Sequence, residues 1–435
     1  MNNPLIAGAD FSQEHLDMCL MDRQGQVILI PQDIFTNNYP GYLALRDLLV
    51  NTIRQYDFDG LWFAGEATGF LWWHTFYHLA HDPELAAFDP QLLLLNPKWV
   101  KWFKKTFPEE EKVDFKDAFF VTERARQHPP KFPYRFDEPY LALRFYTRHY
   151  LHLTRALASE KTYFLSFLVL KASEYGRLEP FSDVFGKTSS HILSTYPALD
   201  QVATIPTATL AQMLQEVARN HLPDPLDNAA KLQRVARESY PLAQAFVEPV
   251  HTLLSMTLDH IRFLEGQIAQ VVAIIEALAP QFPGIAILDS IPGIGLILAA
   301  CLVAEIGDVK RFMVGQKYDR KKKRFRSKTV ADGAASLAKF VGLWWPRSSS
   351  GKFEGEDRRL AQAGNRYGRY TYIQAAFCLK EHNAEYRAYY DRKYRQSSKH
   401  KHKRALVLTG RKAVNLTFGL LHRGEMWRPP EERMV

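Results

Sequence analysis

Cysteine is almost missing from this chain. Its 435 residues hold three, Cys19, Cys301 and Cys378, far apart, odd in number and without the close pairs that zinc sites use. A disulfide framework and a zinc centre are thereby excluded as organising features, and buried free thiols in a reducing cytosol are expected. Long apolar runs are missing too: no window approaches roughly eighteen uninterrupted apolar residues, the length of a membrane-crossing helix. Met1 to Asp10 carries neither a basic nor an apolar leader pattern. Secretion and membrane insertion are therefore not expected.

Acids are in shortfall. Asp and Glu number 47 against 56 Lys and Arg, a formal charge of +9, which favours a polyanionic partner without identifying it. Core material, by contrast, is ample. Hydrophobic residues make up 46% and charged residues 24%, inside the globular range and outside the disordered one. The length exceeds the roughly 250 to 300 residues at which single cores stop growing, so two or three domains are expected.

Pro4 to Ala9, His15 to Met21 and Gln26 to Ile30 read as strands, with Asp22-Arg23-Gln24-Gly25 as the second turn. Leu45, Leu48, Leu49, Ile53 and Tyr56 fall on one helical face. A strand from Gly60 to Gly65, a helix after Gly69, a buried strand from Gln91 to Leu95 and a helix after Pro97 follow. The order β-β-β-α-β-α-β-α is that of an α/β RNase H-like domain, a mixed sheet with helices on its faces. From about residue 138 to 280, Leu and Ala recur at spacings of three and four, in Leu141 to Leu157, Leu210 to Val217 and Leu253 to Leu278. This mainly α-helical middle ends in a stretch long enough for a coiled-coil arm or for an ordinary bundle helix.

Leu288 to Gly307 reads as a helix-hairpin-helix, with Pro292-Gly293-Ile294-Gly295 as a tight turn. Backbone N–H groups at Gly293 and Gly295 would meet a phosphate at the start of the next helix. Two basic runs follow. Lys317 to Lys328 holds eight Lys or Arg, among them Lys321, Lys322, Lys323 and Arg324, against the single acid Asp319; Arg392 to Lys412 holds nine and no acid. Such runs are solvated faces or nucleic-acid contacts. Tyr318, Phe325, Tyr367, Tyr370 and Tyr372 nearby would stack on bases or pack.

Four acids suggest chemistry. Asp10 closes one strand in Ile6-Ala7-Gly8-Ala9-Asp10 and Glu66 closes another in Trp62-Phe63-Ala64-Gly65-Glu66, so both would project from the ends of adjacent strands. Asp114 and Asp117, in Lys112-Val113-Asp114-Phe115-Lys116-Asp117-Ala118, share a face if that segment is helical. Any one of them also reads as a helix cap or a surface ion pair. Together they repel one another, an unfavourable arrangement unless cations occupy it, and hard oxygen ligands suit magnesium or manganese. Two such ions would stabilise the attacking and leaving oxygens of a phosphodiester displacement.

Farther on, Arg347-Ser348-Ser349-Ser350-Gly351 follows an apolar segment, with Gly364-Asn365-Arg366 and Arg369 close behind. A serine hydroxyl needs a base or a metal to take its proton, and Arg347, Arg366 and Arg369 would hold the phosphate under attack. Taken alone, the serine run also reads as a flexible loop.

Asp10, Glu66, the Asp114/Asp117 pair, then Ser290-Ile291-Pro292-Gly293-Ile294-Gly295 with Ala304-Glu305-Ile306-Gly307-Asp308, Ser350-Gly351, Gly364-Asn365-Arg366 and Ala375-Ala376 occur in one order. This set resembles the IS one-ten (IS110) family of insertion-sequence transposases over nearly the whole chain. The resemblance implies a RuvC-like domain (1–160) whose DEDD tetrad is Asp10, Glu66, Asp114 and Asp117. A helical linker or coiled-coil region (161–285) and a mainly α transposase domain (286–435) would follow. Ser350, or Ser349 one register earlier, would join covalently to DNA. Also implied are Mg2+ or Mn2+, donor and target DNA, a noncoding guide (bridge) RNA, and a homo-oligomer, dimer or tetramer, in which acidic and serine sites of different subunits combine. The location implied is cytoplasmic and nucleoid-associated, in a prokaryote. One departure is the basic segment from Lys317 to Asp332, longer than the family pattern, which suggests an added RNA- or DNA-binding loop. The basic tail from Lys399 to Arg404 is likewise not placed by the resemblance.

Two rival readings stay open. A metal-dependent nuclease acting on branched DNA would leave the serine as a loop residue and form no covalent intermediate. A non-catalytic nucleic-acid-binding protein would gain nothing from the repulsion of four acids.

Overall fold

The computed structural model describes residues 3–29, 35–107, 114–130, 133–319, 322–346, 349–350, 353–354, 360–361 and 363–429, with backbone alone at 114–116, 349–350 and 353–354. Two compact units divide the chain, Met1–Glu138 and Pro139–Val435.

The first unit contains β1 (Pro4–Phe11), β2 (His15–Met21), β3 (Val27–Leu29), β4 (Phe35–Thr36), α1 (Tyr39–Gln55), β5 (Gly60–Glu66), α2 (Trp73–His81), β6 (Gln91–Leu95), α3 (Pro97–Lys104) and α4 (Asp114–Gln127). The sheet order is β3-β2-β1-β5-β6, with the short β4 beside β2. β2 runs antiparallel to β1, whereas β1, β5 and β6 are parallel. All three expected strands of the opening meander are present. The third is shorter than expected among the described residues, and β4 is an addition.

Local chemistry accounts for these elements. β1 is buried along both faces, as a central strand covered on each side must be. α1 begins where the Asn38 side chain accepts from Gly41 N–H with Pro40 in the first turn. It buries Tyr42, Leu45, Leu49 and Ile53 against a core that includes Phe63, Phe76 and Leu79. α4 covers the other face, with Val121 and Ala125 packed among Ala64, Leu93, Leu95 and Val100. Gly8 makes that packing possible, because a Cβ there would lie 2.1 Å from Thr122 Oγ1. Thr122 Oγ1 in turn donates to the Cys19 carbonyl at 3.2 Å. With α4 resting directly on β1, its turn carrying Asp117 is brought toward the strand end that carries Asp10.

The second unit is mainly helical: α5 (Glu138–Lys171), α6 (Tyr175–Leu178), α7 (Lys187–Thr195), α8 (Asp200–Thr204), α9 (Thr207–Val217), α10 (Pro225–Glu238), α11 (Gln244–Leu278), α12 (Pro283–Asp289) and α13 (Leu296–Ile306) come first. A ribbon, β7 (Gln316–Asp319) and β8 (Arg324–Ser327), precedes α14 (Val330–Phe340). Then come β9 (Ser349–Ser350), β10 (Phe353–Glu354), α15 (Arg366–His382), α16 (Ala384–Gln396) and α17 (Lys401–Arg423).

α5 and α11 run antiparallel: the Tyr140 and Phe282 rings are 5.2 Å apart, and Lys161 pairs with Glu265 at 2.8 Å. One core lies among α6 to α10 and holds Phe164, Leu168, Leu210, Leu232, Leu254 and Leu258. Another surrounds α13, where every residue from Ala299 to Ile306 is buried, and includes Leu143, Ile275, Leu337, Tyr372 and Phe418. Both long helices contribute to both cores.

α11 with its short continuation, Gln244–Gln281, is by length and composition apolar enough to cross a membrane. The sequence expectation rested on uninterrupted apolar runs, and here Asp259, Arg262 and Glu265 interrupt one. In the fold, Leu254, Leu258, Ile261, Leu264, Val271 and Ile275 serve the helical cores, while Leu253, Met256 and Phe263 remain exposed. All three cysteines are free. Cys19 and Cys301 are buried, whereas Cys378 is half-buried. Burial pushes the Cys19 thiol up to about 11 and that of Cys301 to about 12, so both are inert as thiolates near neutrality.

Candidate active site

β1 and β5 run parallel with Ala9 beside Gly65 as their last register pair, so the next residues, Asp10 and Glu66, lie side by side near the carboxyl ends of their strands. On its other side Asp10 faces Asp17 of β2. Burial raises the Asp10 carboxyl above its ordinary value and the charge of Asp117 raises it further, while Lys104 opposes the rise. Glu66 is raised in the same way, by burial first, with Lys104 opposing and Asp10 and Asp117 adding. Carboxylates from two strands and one helix thus sense one another's charge.

The ammonium acting on all three is Lys104, whose Nζ lies 2.7 Å from Asp117 Oδ1. It ends α3, a helix that starts directly after β6 with Asn96 capping the Lys98 N–H and Pro97 in the first turn. Sequence reasoning missed Lys104, since nothing separates it from Lys98, Lys101 and Lys105 until the fold turns one of them inward. Asp114 opens α4 and so shares that helix with Asp117, but its side chain lies outside the described residues. Among the described residues no three His, Cys, Asp or Glu side chains gather closely enough to hold a metal ion. The donor set still fits a divalent cation: half-buried hard oxygens that repel one another and already draw in a cation.

Ser349 and Ser350 form one arm of a very short antiparallel pairing, with Phe353 opposite Ser350 and Glu354 opposite Ser349. Arg347 lies outside the described residues. What the structure does define is the base of this segment. Asn365 N–H donates to the Phe340 carbonyl at 2.7 Å and Ala361 N–H to that of Trp344 at 3.0 Å. Arg369, half-buried, donates to the Ala361 carbonyl at 3.2 Å. Gly342 and Gly364 both have positive φ, and a Cβ on Gly342 would lie 2.5 Å from the Ala363 carbonyl oxygen. These two positions need glycine for the crossing to close.

Asn365 then caps α15, accepting from Tyr367 N–H at 3.0 Å and Gly368 N–H at 3.1 Å. Its amide donates to Glu305 at 2.5 Å. Glu305 is 2% exposed and accepts two bonds from Arg148, at 2.7 and 3.0 Å. Arg148 also lies over the Tyr367 ring at 4.4 Å, and Arg155 over Tyr370 at 4.7 Å. Arg366, exposed at the start of α15, reaches the Tyr367 ring at 5.0 Å. Arg148 and Arg155 carry no sequence signal of a role here, because they come from a distant part of the chain.

Gly293 has a positive φ, and a Cβ on it would lie 2.8 Å from the Cys378 carbonyl oxygen, so close packing against α15 is its visible requirement. Gly295 immediately precedes α13 and is open around its Cα. Lys322, Lys323 and Arg324 are exposed on the ribbon, and Lys321 lies outside the described residues. Part of the second basic run is folded surface: Lys401 to Arg404 opens α17, and Lys412 pairs with Glu385 at 2.7 Å.

The class, a DNA-acting transposase, follows from two family matches. A family model for the DEDD transposases of the IS110 group, described as "Transposase", matches residues 7–171. A second, described as "Transposase IS116/IS110/IS902 family", matches residues 285–318 and 327–391. The two together take in more than half of the chain and all of the motif residues from Asp10 to Ala376 that the resemblance rests on. The chain belongs to the IS110 family of insertion-sequence transposases. Its DEDD domain implies dependence on a divalent metal. No curated protein matches the chain.

Proposed function

We propose that this transposase cuts and rejoins DNA through a covalent phosphoserine intermediate. Ser350 is the nucleophile, with Ser349 the second choice, and Asp10, Glu66, Asp114 and Asp117 hold the metal. The observation that carries the reading is the placement of Asp10 and Glu66 just past the last register pair of two parallel strands, with the charge of Asp117 acting on both. The order β3-β2-β1-β5-β6 with β2 antiparallel supports an RNase H-like, RuvC-like domain, and sites at the carboxyl ends of parallel strands are the rule in such sheets.

A divalent cation bound by the four acids, Mg2+ or Mn2+ in its place, would supply electrostatic stabilisation of the phosphate oxygens. The chain's own residues supply the rest. Ser350 Oγ bonds to phosphorus as a deoxyribose oxygen leaves, and the proton lost by the serine is regained by the leaving oxygen. Attack by a hydroxyl on another strand reverses this and reseals the DNA without external energy. Arg366 would neutralise the phosphate, and the bonds at Phe340, Trp344 and Ala361 tie the chain on either side of the serine segment together.

The same reading includes a noncoding bridge RNA, whose base pairing would leave the protein to read shape and phosphates. It also includes a homo-oligomer. Exposed Leu253, Met256 and Phe263 on α11 are spaced by three and seven, as in a coiled-coil seam. We retain 1–160, 161–285 and 286–435 as functional modules. A denaturing gel tests the mechanism: labelled DNA should comigrate with the parent protein but not with Ser350→Ala. Clean nicks without an adduct from the parent protein would instead establish the metal-dependent nuclease.

A further inference from the structure

The family match stops at residue 318 and resumes at 327, so the tip of the β7–β8 ribbon lies outside the family pattern. Its pairing register places Lys317 opposite Arg326 and Tyr318 opposite Phe325. Residues paired across an antiparallel ribbon share a face, and neighbours along a strand alternate. One face therefore carries Lys317 and Arg326, the other Tyr318 and Phe325.

The first face is fastened down. Asp332, 8% exposed, accepts from Lys317 Nζ at 2.5 Å and from Arg326 Nη1 at 2.6 Å, and it sits in the first turn of α14 within a capping box formed with Thr329. The second face is thereby turned outward: Tyr318 is 48% and Phe325 65% exposed, with ring centroids 5.2 Å apart. At the turn beside them Lys322 and Lys323 are exposed, while Arg324 lies on the fastened face opposite Asp319, the one acid of the ribbon.

Exposed aromatic rings beside exposed lysines are the pair of features that bind unpaired bases and their phosphates together. A purely apolar partner would have no use for the cations. A duplex offers phosphates but keeps its base faces stacked inside. We propose that this ribbon is a stacking platform for an unpaired DNA strand, such as the strand exposed when a duplex is opened for exchange. The choice of DNA rests on the transposase reading above; the stacking does not.

The test is fluorescence anisotropy of the full-length protein with labelled oligo-dT, oligo-U and duplex DNA. The variants are Tyr318→Ala/Phe325→Ala, Tyr318→Ala/Phe325→Trp and Lys322→Glu/Lys323→Glu, each checked for an unchanged melting curve. Oligo-dT affinity should fall about tenfold in the double alanine variant, recover in large part with Trp, and fall with a flatter salt dependence in the charge-reversed one. Duplex affinity should change much less with the aromatic variants. Unchanged oligo-dT affinity in the double alanine variant, or equal losses on duplex and single strand, would overturn the platform. A response confined to oligo-U would overturn DNA as its occupant. A parent protein that forms no DNA adduct but loses oligo-dT affinity in the double variant would sink the phosphoserine mechanism and leave the ribbon standing.

Discussion

In the first unit, Asp10 and Glu66 are fixed by the sheet itself: each is the residue after a register pair of parallel strands, and Asp117 arrives on a helix seated on Gly8. In the second unit, Ser349 and Ser350 lie on a segment whose ends are tied near Phe340, Trp344 and Ala361, and the rigidity comes from a buried polar hub, Glu305 with Arg148 and Asn365. The candidate carboxylates sit on the central strands of a sheet, whereas the candidate serines sit on a long connection tied only at its base by backbone bonds and by the side-chain hub behind Asn365. A substitution of a carboxylate in the first should therefore remove chemistry and spare the fold, whereas a substitution behind the second should disturb position first.

Changing the carboxylates should break the comparison most sharply. Asp10→Asn is expected to lower strand cleavage about 100-fold or more, while its melting temperature in EDTA stays equal to the parent's or rises, because a half-buried, repelled charge is gone. Calorimetry beside a cleavage assay checks both halves; a variant that loses activity only through unfolding would erase the distinction. Next comes Glu305→Ala, which leaves Arg148 and Asn365 without their buried acceptor and should destabilise the second unit by about 3 kcal/mol, somewhat less because Arg148 keeps partial contact with solvent. Urea titration measures it, and Glu305→Gln should recover part.

A smaller effect sharpens the first site. Lys104 competes with any cation for Asp117, so Lys104→Met should tighten Mn2+ binding about fivefold, the worth of a pair of about 1 kcal/mol. Electron paramagnetic resonance of free Mn2+ reads this without turnover, and weaker binding would show Lys104 to be a support of the site rather than a competitor. The smallest effect is a pH response of the ribbon. Burial alone would raise the Asp332 carboxyl, but bonds from Lys317, Thr329 and Arg326 overcome it and hold the group well below the usual range. A depressed carboxylate stabilises the folded state above its ordinary pKa of 3.8 and loses that contribution as pH falls below it. Amide exchange in residues 316–327 should accelerate there, and Asp332→Asn should show the faster exchange already at neutral pH.

The same contrast explains what the sequence disclosed. Strand ends announce themselves, since an alternating or apolar run that stops at an acid is readable from the chain alone, as in Ile6 to Asp10 and Gly60 to Glu66. A helix pair such as Asp114 and Asp117 needs only spacing. Lys104 was invisible because one lysine in a helix rich in them is selected by tertiary packing. Arg148 was invisible for another reason: its partner Glu305 lies far along the chain, and a buried ion pair leaves no local periodicity. The ribbon's charge was plain, but which face is fastened and which is free depended on Asp332.

The most direct measurement is mass spectrometry of the protein trapped with its DNA, digested with nuclease and protease. We predict a nucleotide remnant on Ser350, present in the parent, absent from Ser350→Ala and strongly reduced in Asp10→Asn. A remnant on another residue, or an undiminished one in Asp10→Asn, would contradict the division of labour between the carboxylates and the serine.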